Sequence, residues 1–316
     1  MASGARSQPD AALKLAAGRP KMCGMKTRVI LVACLLALAA RAEEPKEPVE
    51  VLRQRLAERL ATPVEGVATA RPAARAARSA KAAKAQPPKP VHWGYTGEAG
   101  PEHWAELAPE NRLCAVGTRQ SPIDIREGLA VDLERIAFDY HPGSFSVLDN
   151  GHTIQVNVAP GSGLSVMGRR YELQQFHFHR PSEERVNGKL FDMVAHLVHK
   201  DAQGRLAVVA VLLERGGDDM AHPVIQAVWG NLPLEKGEDL PAQGQIDPSQ
   251  LLPEQRGYYT YMGSLTTPPC SEGVLWMVLR QPVALSGPQL DVFARLYPMN
   301  ARPLQAGSGR LIKESQ

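Results

Sequence analysis

The chain has 316 residues, of which 44% are hydrophobic, 22% charged and only 5% aromatic. This describes a soluble globular protein of one large domain or two ordinary ones, with biased segments besides. A net charge of +3 is close to balance, so the composition gives no reason to expect nucleic acid as a partner.

Residues 1–24 carry no structural pattern, and Met25 reads as the start of an export segment, MKTRVILVACLLALAARAEE. Lys26 and Arg28 form its basic end, and the apolar run Val29 to Ala39 is shorter than the ~20 residues a spanning helix needs. Ala40-Arg41-Ala42 is a small-residue cleavage site that would leave Glu43 first, giving a periplasmic or secreted protein. The competing readings are a membrane anchor and, at Leu31-Val32-Ala33-Cys34, a lipoprotein box preceded by too short an apolar stretch. Of the four cysteines, Cys23 and Cys34 fall here, whereas Cys114 and Cys270 lie in the body of the chain.

Residues 43–90 are of low complexity. Val49, Leu52, Leu56 and Leu60 fall at helical spacing and predict one short amphipathic helix. The stretch ARPAARAARSAKAAKAQPPKP then has six basic and no acidic residues, so it reads as a solvated spacer able to touch an anionic envelope surface weakly. Pro87-Pro88-Lys89-Pro90 closes it, and a domain is expected over 91–316.

From there, short runs rich in Val, Ile, Thr and aromatics alternate with turn residues: FSVLDNG, HTIQVNVAP, YELQQFHFH, FDMVAHLVHK, RLAVVAVLLE and VLWMVLR. They predict strands, with helical spacing confined to HPVIQAVWGNL and PQLDVFARLY. The expectation is one mainly β domain without internal repeats.

Alternate residues of a strand share a face. His177 and His179 therefore point one way and Phe176 and Phe178 the other, the phenyl rings towards a core. Alone, such a pair is as readily a polar strand face as a ligand pair. FDMVAHLVHK changes that balance. With a turn at Asn187-Gly188 returning the chain, His196 can face the first two histidines, while His199 points away and reads as a hydrogen-bonded structural residue. Three neutral histidines without a fourth protein ligand suit tetrahedral zinc with one position open, the arrangement of catalytic sites.

At this point the chain resembles the α-class carbonic anhydrases, in their bacterial secreted form. The resemblance runs through HWGY at 92–95, GPEHW at 100–104, RQSPIDI at 119–125, NGH at 150–152, QFHFH at 175–179, AHLVH at 195–199, GSLTTPPCSEGVLW at 263–276 and RPLQ at 302–305. It implies an α+β fold on a large, mostly antiparallel twisted sheet with short peripheral helices and a zinc site in a central cleft. It also implies a zinc lyase that hydrates carbon dioxide reversibly to bicarbonate and a proton.

In that family zinc brings the pKa of its bound water to about 7. Ligation by Nε2 of His177 and His179 and by Nδ1 of His196 is implied. Thr266 matches the gatekeeper whose hydroxyl donates to Glu183 and aims the zinc hydroxide at carbon, which requires an ionised, acceptor-only carboxylate. Val198, Val208, Leu265, Val274 and Trp276 match the apolar lining for carbon dioxide, and Thr267 a partner for departing bicarbonate. His152 matches the proton shuttle, with Asn150 and Gln155 ordering the waters that lead to it. Gln175 and Tyr261 match further groups around the centre. Cys114 and Cys270 match a disulfide of exported members, which would fix the loop that carries Thr266. Whether such a protein is a monomer or a homodimer is left open.

Two positions depart from the family pattern. A glutamate usually precedes the third ligand by two residues and holds its free ring nitrogen; here the residue is Val194. A histidine usually follows the gatekeeper's partner; here it is Glu184. The expectation is that Glu184 reaches into the vacated space and accepts from His196. The alternative to the enzyme is a domain that has lost catalysis and serves as an envelope binding module. Retention of all three histidines with Thr266 and Glu183 argues against it.

Overall fold

The computed structural model describes residues 92–217 and 220–316, which fall in the second of two units into which the chain divides, Ala83–Gln316. The export segment at 25–42 and the helix and basic spacer at 43–90 lie outside the described residues. Among the described residues no helix is long and apolar enough to cross a membrane.

The strands are β1 (Asp124–Ile125), β2 (Leu129–Val131), β3 (Ala137–Asp139), β4 (Phe145–Asp149), β5 (Ile154–Val158), β6 (Gly163–Val166), β7 (Arg169–His179), β8 (Arg185–Val186), β9 (Met193–Lys200), β10 (Leu206–Arg215), β11 (Asp239–Pro241), β12 (Tyr258–Ser264), β13 (Glu272–Leu279), β14 (Val283–Leu285) and β15 (Lys313–Ser315). Thirteen of them form one twisted sheet along the path β11-β4-β5-β7-β9-β10-β13-β12-β15-β2, with β6, β3 and β14 paired off it. Most pairings are antiparallel, as expected; β10 with β13 and β14, and β15 with β2, are parallel. Each of the six runs expected as strands holds one, and both helical runs form helices, Pro223–Gly230 and Gly287–Leu296.

The sheet is covered on both faces, which explains why β10 and β13 are nearly unbroken apolar runs. One face carries the larger core, where Phe176, Phe178, Leu197, Val209 and Met277 pack under Val228, Trp229, Leu290 and Phe293 of the two helices. The other face carries Val194, Val208, Ala210, Tyr261, Val274 and Trp276. This second layer holds the site.

A register shift between Leu173 and Gln175 interrupts the pairing of β7 with β9. The extra residue, Gln174, reverses the alternation. Tyr171 and Leu173 thereby join Phe176 and Phe178 in the same core, while Gln175, His177 and His179 share the opposite face. The Asn187-Gly188 turn is present, but it closes a small hairpin of its own, with Val186 and Lys189 exchanging backbone hydrogen bonds. Both central residues take positive φ, 51° and 80°, the conformation that favours Asn-Gly. The turn sits inside the connection from β7 to β9 rather than joining the strands directly.

Candidate metal centre

β7 and β9 pair so that His177 stands opposite His196 and His179 opposite Val194. Strand pairing alone thus brings together the three histidines singled out in the sequence. One ring nitrogen from each lies within 4.8 Å of the others. Trp276 on β13 meets the His196 ring edge-on at 4.9 Å and closes the layer beneath it.

The outer nitrogen of each ring is already engaged. His177 Nδ1 donates to Gln175 Oε1 at 2.9 Å, His179 Nδ1 to the Asn300 carbonyl at 2.7 Å, and His196 Nε2 to Glu184 Oε2 at 3.3 Å. These contacts select the tautomers that leave Nε2, Nε2 and Nδ1 as lone pairs facing one another. His179 Nε2 is buried with no hydrogen-bond partner, an orphan that a native interior rarely tolerates without an ion or ligand to explain it. Burial pushes the His177 pKa well below its usual value, His179 to about 4 and His196 to about 3. All three are neutral at pH 7, as metal ligation requires. The donor set fits a divalent metal such as zinc.

Two fully buried carboxylates stand behind the ligands. Glu183 Oε1 accepts from the Arg302 backbone N–H at 2.8 Å, and its Oε2 has no hydrogen-bond partner. Burial raises its pKa to about 6, against the lowering influence of His179, the Arg302 N–H and the Thr266 hydroxyl. Thr266 thus lies near enough to favour the carboxylate, although its hydroxyl does not complete a hydrogen bond to Oε2. Burial lifts Glu184 to about 8 against the lowering effect of its own backbone N–H. One carboxyl oxygen accepts from His196 in either protonation state, and the positive charge of a bound metal would favour the ionised form. Tyr261 is buried beside them, its hydroxyl 3.3 Å from Ser121 Oγ and its ring stacked with Trp276.

The expected apolar lining is gathered on this face. Val208, Val274 and Trp276 are buried in it, and Val198 and Leu265 pack partly exposed at its margin. Thr267 follows Thr266 in the loop that Cys270 closes, and its carbonyl accepts from the Cys270 N–H at 2.9 Å. Cys270 is disulfide-bonded to Cys114, 156 residues away, as the resemblance implied. His199 faces the other core and bonds Tyr140 Oη at 2.7 Å, in keeping with a structural role.

His152 follows the Asn150 turn, whose Oδ1 accepts from the N–H groups of His152 and Thr153 at 2.9 Å each. Asn150 also donates to Gln155 Oε1 at 3.4 Å. The His152 ring stacks on Trp93 at 3.6 Å between centroids, and its Nε2 lies 2.8 Å from Nε2 of His92.

Asn300, His92 and Trp93 were not assigned roles from sequence. HWGY was visible as a motif, but nothing in it shows that His92 and Trp93 clasp a histidine 60 residues away. Asn300 contributes a backbone carbonyl to His179, and a carbonyl has no residue signature.

Comparison with known proteins settles the lineage. A family model described as eukaryotic-type carbonic anhydrase matches residues 99–316. The chain belongs to the α-carbonic anhydrase family. The carbonic anhydrase of Nostoc sp. is 44% identical over 233 residues, covering 72% of this chain and 87% of the relative. A hyperthermostable carbonic anhydrase from a hydrothermal vent chimney superposes with a TM-score of 0.69 at 44% identity, over 71% of this chain and all of that structure. The α-carbonic anhydrase of Thermovibrio ammonificans, solved with the inhibitor sulfanilamide, gives 0.67 at 43% identity, over 71% of this chain and 99% of that one. As an α-carbonic anhydrase, the chain presents the three-histidine cluster as its candidate metal centre.

Proposed function

We propose that this carbonic anhydrase hydrates carbon dioxide reversibly to bicarbonate and a proton, with zinc held by Nε2 of His177 and His179 and by Nδ1 of His196. The observation that carries this reading is the set of three converging, proton-free ring nitrogens with each opposite nitrogen engaged by an acceptor. Held by these three histidines, zinc would supply Lewis acidity that brings water ionisation towards neutral pH.

The chain's own groups supply orientation. An ionised Glu183 is acceptor-only, so a Thr266 hydroxyl donating to it must accept on its other side. That fixes the direction from which the nucleophile's lone pair approaches carbon. The positive charge of a bound metal lowers the Glu183 pKa from its metal-free value and favours the ionised form this requires. Val198, Val208, Leu265, Val274 and Trp276 offer carbon dioxide an apolar wall, and Thr267 offers departing bicarbonate a hydrogen bond. His152 takes the released proton outward, by way of water ordered near Asn150 and Gln155.

The apolar segment at 29–39 with its Ala-Arg-Ala site supports export to the periplasm or medium, and a formed disulfide agrees with an oxidising compartment. The basic spacer supports weak contact with an anionic envelope surface; deleting residues 43–90 and fractionating cells tests that part. The central test is carbon dioxide hydration by the mature chain, with and without chelation, beside His196→Ala. Zinc-dependent turnover in the parent and its loss in the variant are expected; absence of zinc-dependent turnover in the parent overturns the enzyme reading.

A further inference from the structure

His196 is the ligand whose outer nitrogen needs the most explaining. Val194 lies two residues before it on β9, shares its face and is wholly buried, but a valine offers no acceptor. Among the described residues, the group that meets His196 Nε2 is the Glu184 carboxylate, 3.3 Å away, and it comes from outside the strand. The segment that delivers it is tightly held. Ser182 Oγ donates to the Glu184 carbonyl at 2.9 Å and accepts from the Phe191 N–H at 3.0 Å. The next two residues form β8, paired with β1. Glu184 Oε1 has no hydrogen-bond partner, so the hydrogen bonding of the carboxyl group is directed at His196.

The geometry points to Glu184 as the positioning residue that fixes His196 as its Nε2–H tautomer, a carboxylate supplied from the β7–β8 connection because Val194 leaves the strand without one. The physical reason is specific to this ligand. Its metal-facing atom is Nδ1, and a neutral imidazole keeps that lone pair only while its proton resides on Nε2. An acceptor at Nε2 holds the proton there and fixes the ring's rotation. Without it, the proton is free to move to Nδ1, and the cluster loses one of its three donors. Glu184 and Val194 are therefore a coupled pair: a side chain that accepts a hydrogen bond is needed at one of the two positions.

This inference rests on the zinc reading, and metal binding tests the two separately. The mature protein is stripped with chelator, and its Zn²⁺ affinity is measured by competition with a fluorescent chelator. The visible spectrum of its Co²⁺ form is recorded as a report on ligand geometry. The variants are Glu184→Gln, Glu184→Ala, and Glu184→Ala combined with Val194→Glu. Failure of the parent to bind either metal overturns the zinc reading itself. With the parent binding, Glu184→Ala is expected to weaken zinc about 10–100-fold, the usual effect of losing a ligand's hydrogen-bond partner. Glu184→Gln keeps shape and an acceptor oxygen but not the charge, and is expected to lose less. Adding Val194→Glu to Glu184→Ala is expected to recover at least tenfold and to restore the parental Co²⁺ spectrum. Zinc affinity in Glu184→Ala within about twofold of the parent overturns the inference. A loss that a folded Glu184→Ala/Val194→Glu protein does not recover overturns it as well. Should the double variant fail to fold, the contrast between folded Glu184→Ala and Glu184→Gln decides: zinc weakened in the alanine variant and held closer to the parent in the glutamine variant supports the assignment, and equal losses in both overturn it.

Discussion

His179 donates its Nδ1–H to the backbone carbonyl of Asn300 at 2.7 Å, the shortest of the three contacts that orient the histidine cluster. The two residues are 121 positions apart, so a ligand on a central strand depends on the irregular chain after the last helix. Asn300 secures that dependence with its side chain. Its Oδ1 accepts from Arg180 N at 2.7 Å, and its Nδ2 donates to the carbonyls of His152 and Phe178 at 3.0 Å each.

Replacing Asn300 with alanine is therefore expected to damage both the fold and the metal site. The variant strips the half-buried Arg180 N–H and His152 carbonyl of their partner, at about 1–3 kcal/mol each where no water replaces it, while the Phe178 carbonyl keeps the Thr153 hydroxyl. Denaturant unfolding should show a lower midpoint than the parent. Zinc affinity should fall by about tenfold or more, since the carbonyl that orients His179 loses its anchor. Unchanged zinc binding in Asn300→Ala would show that the main chain alone holds the carbonyl.

The disulfide should matter for stability. Cys114 and Cys270 close a loop with a sequence separation of 156, and breaking such a link typically costs about 2–5 kcal/mol through the unfolded chain. Urea unfolding of the mature protein with and without reductant should differ by that amount, and Cys114→Ser should reproduce the reduced curve. The same bond anchors the segment from Leu265 to Cys270, so reduction should also lower turnover at temperatures where the protein remains folded. Coincident unfolding curves would remove the bond from the list of stabilising features.

What the sequence made legible follows from where side-chain identity meets backbone periodicity. His177, His179 and His196 could be assigned because alternation puts them on one face and the register brings the strands together. Glu184 could be suspected only through the family resemblance, which marks Val194 as standing where a glutamate usually holds the third ligand. The bulge at Gln174 was not legible, since one extra residue in a polar run leaves no compositional mark. Nor were β2, β3, β11, β14 and β15, three residues each and too short to display alternation. The contact of Trp93 and His92 with His152 is set by how the chain before the first strand lies across the site, which local pattern does not encode.

The metal-free protein should be most stable near pH 7. Buried His179, His196 and His199 have native pKa values of about 4, 3 and 4 against 6.5 unfolded, and His177 is lowered as well. Below pH 6.5 the unfolded chain therefore binds protons that the native protein refuses, so the histidine contribution is complete above that pH and is lost as pH falls. The carboxylates act in the opposite sense. Glu184 titrates at about 8 and Glu183 at about 6 in the native protein, against 4.5 unfolded. Their contribution is complete below pH 4.5 and is lost as pH rises through the native values. These four histidines, joined by His152 and His222, which burial also lowers, outweigh two carboxylates on the acid side, and Glu184 remains alone on the alkaline side, so stability falls in both directions. Unfolding midpoints of chelator-stripped protein from pH 4 to 9 check the shape, and a monotonic rise to pH 9 would contradict it.

His152 bears on the proposed proton step through its surroundings. Burial, with His92 and Lys236 nearby, lowers its pKa to about 4 in the ring position stacked on Trp93. An imidazole so placed is neutral at pH 7 and releases a proton readily, the behaviour of a shuttle at the outward end of its path. Proton transfer between a coordinated water and buffer works best with a pKa near the operating pH, so the contact with Trp93 bears directly on how well this ring performs it. Proton export follows formation of bicarbonate, so His152→Ala should lower kcat about tenfold or more in dilute buffer and leave kcat/KM nearly unchanged. Added imidazole should restore kcat in the variant and do little for the parent. Trp93→Ala, which removes the stacking partner, should shift the pH dependence of kcat towards the ordinary histidine value without affecting zinc binding. Equal losses in kcat and kcat/KM for His152→Ala, with no response to imidazole, would place the residue outside the proton path.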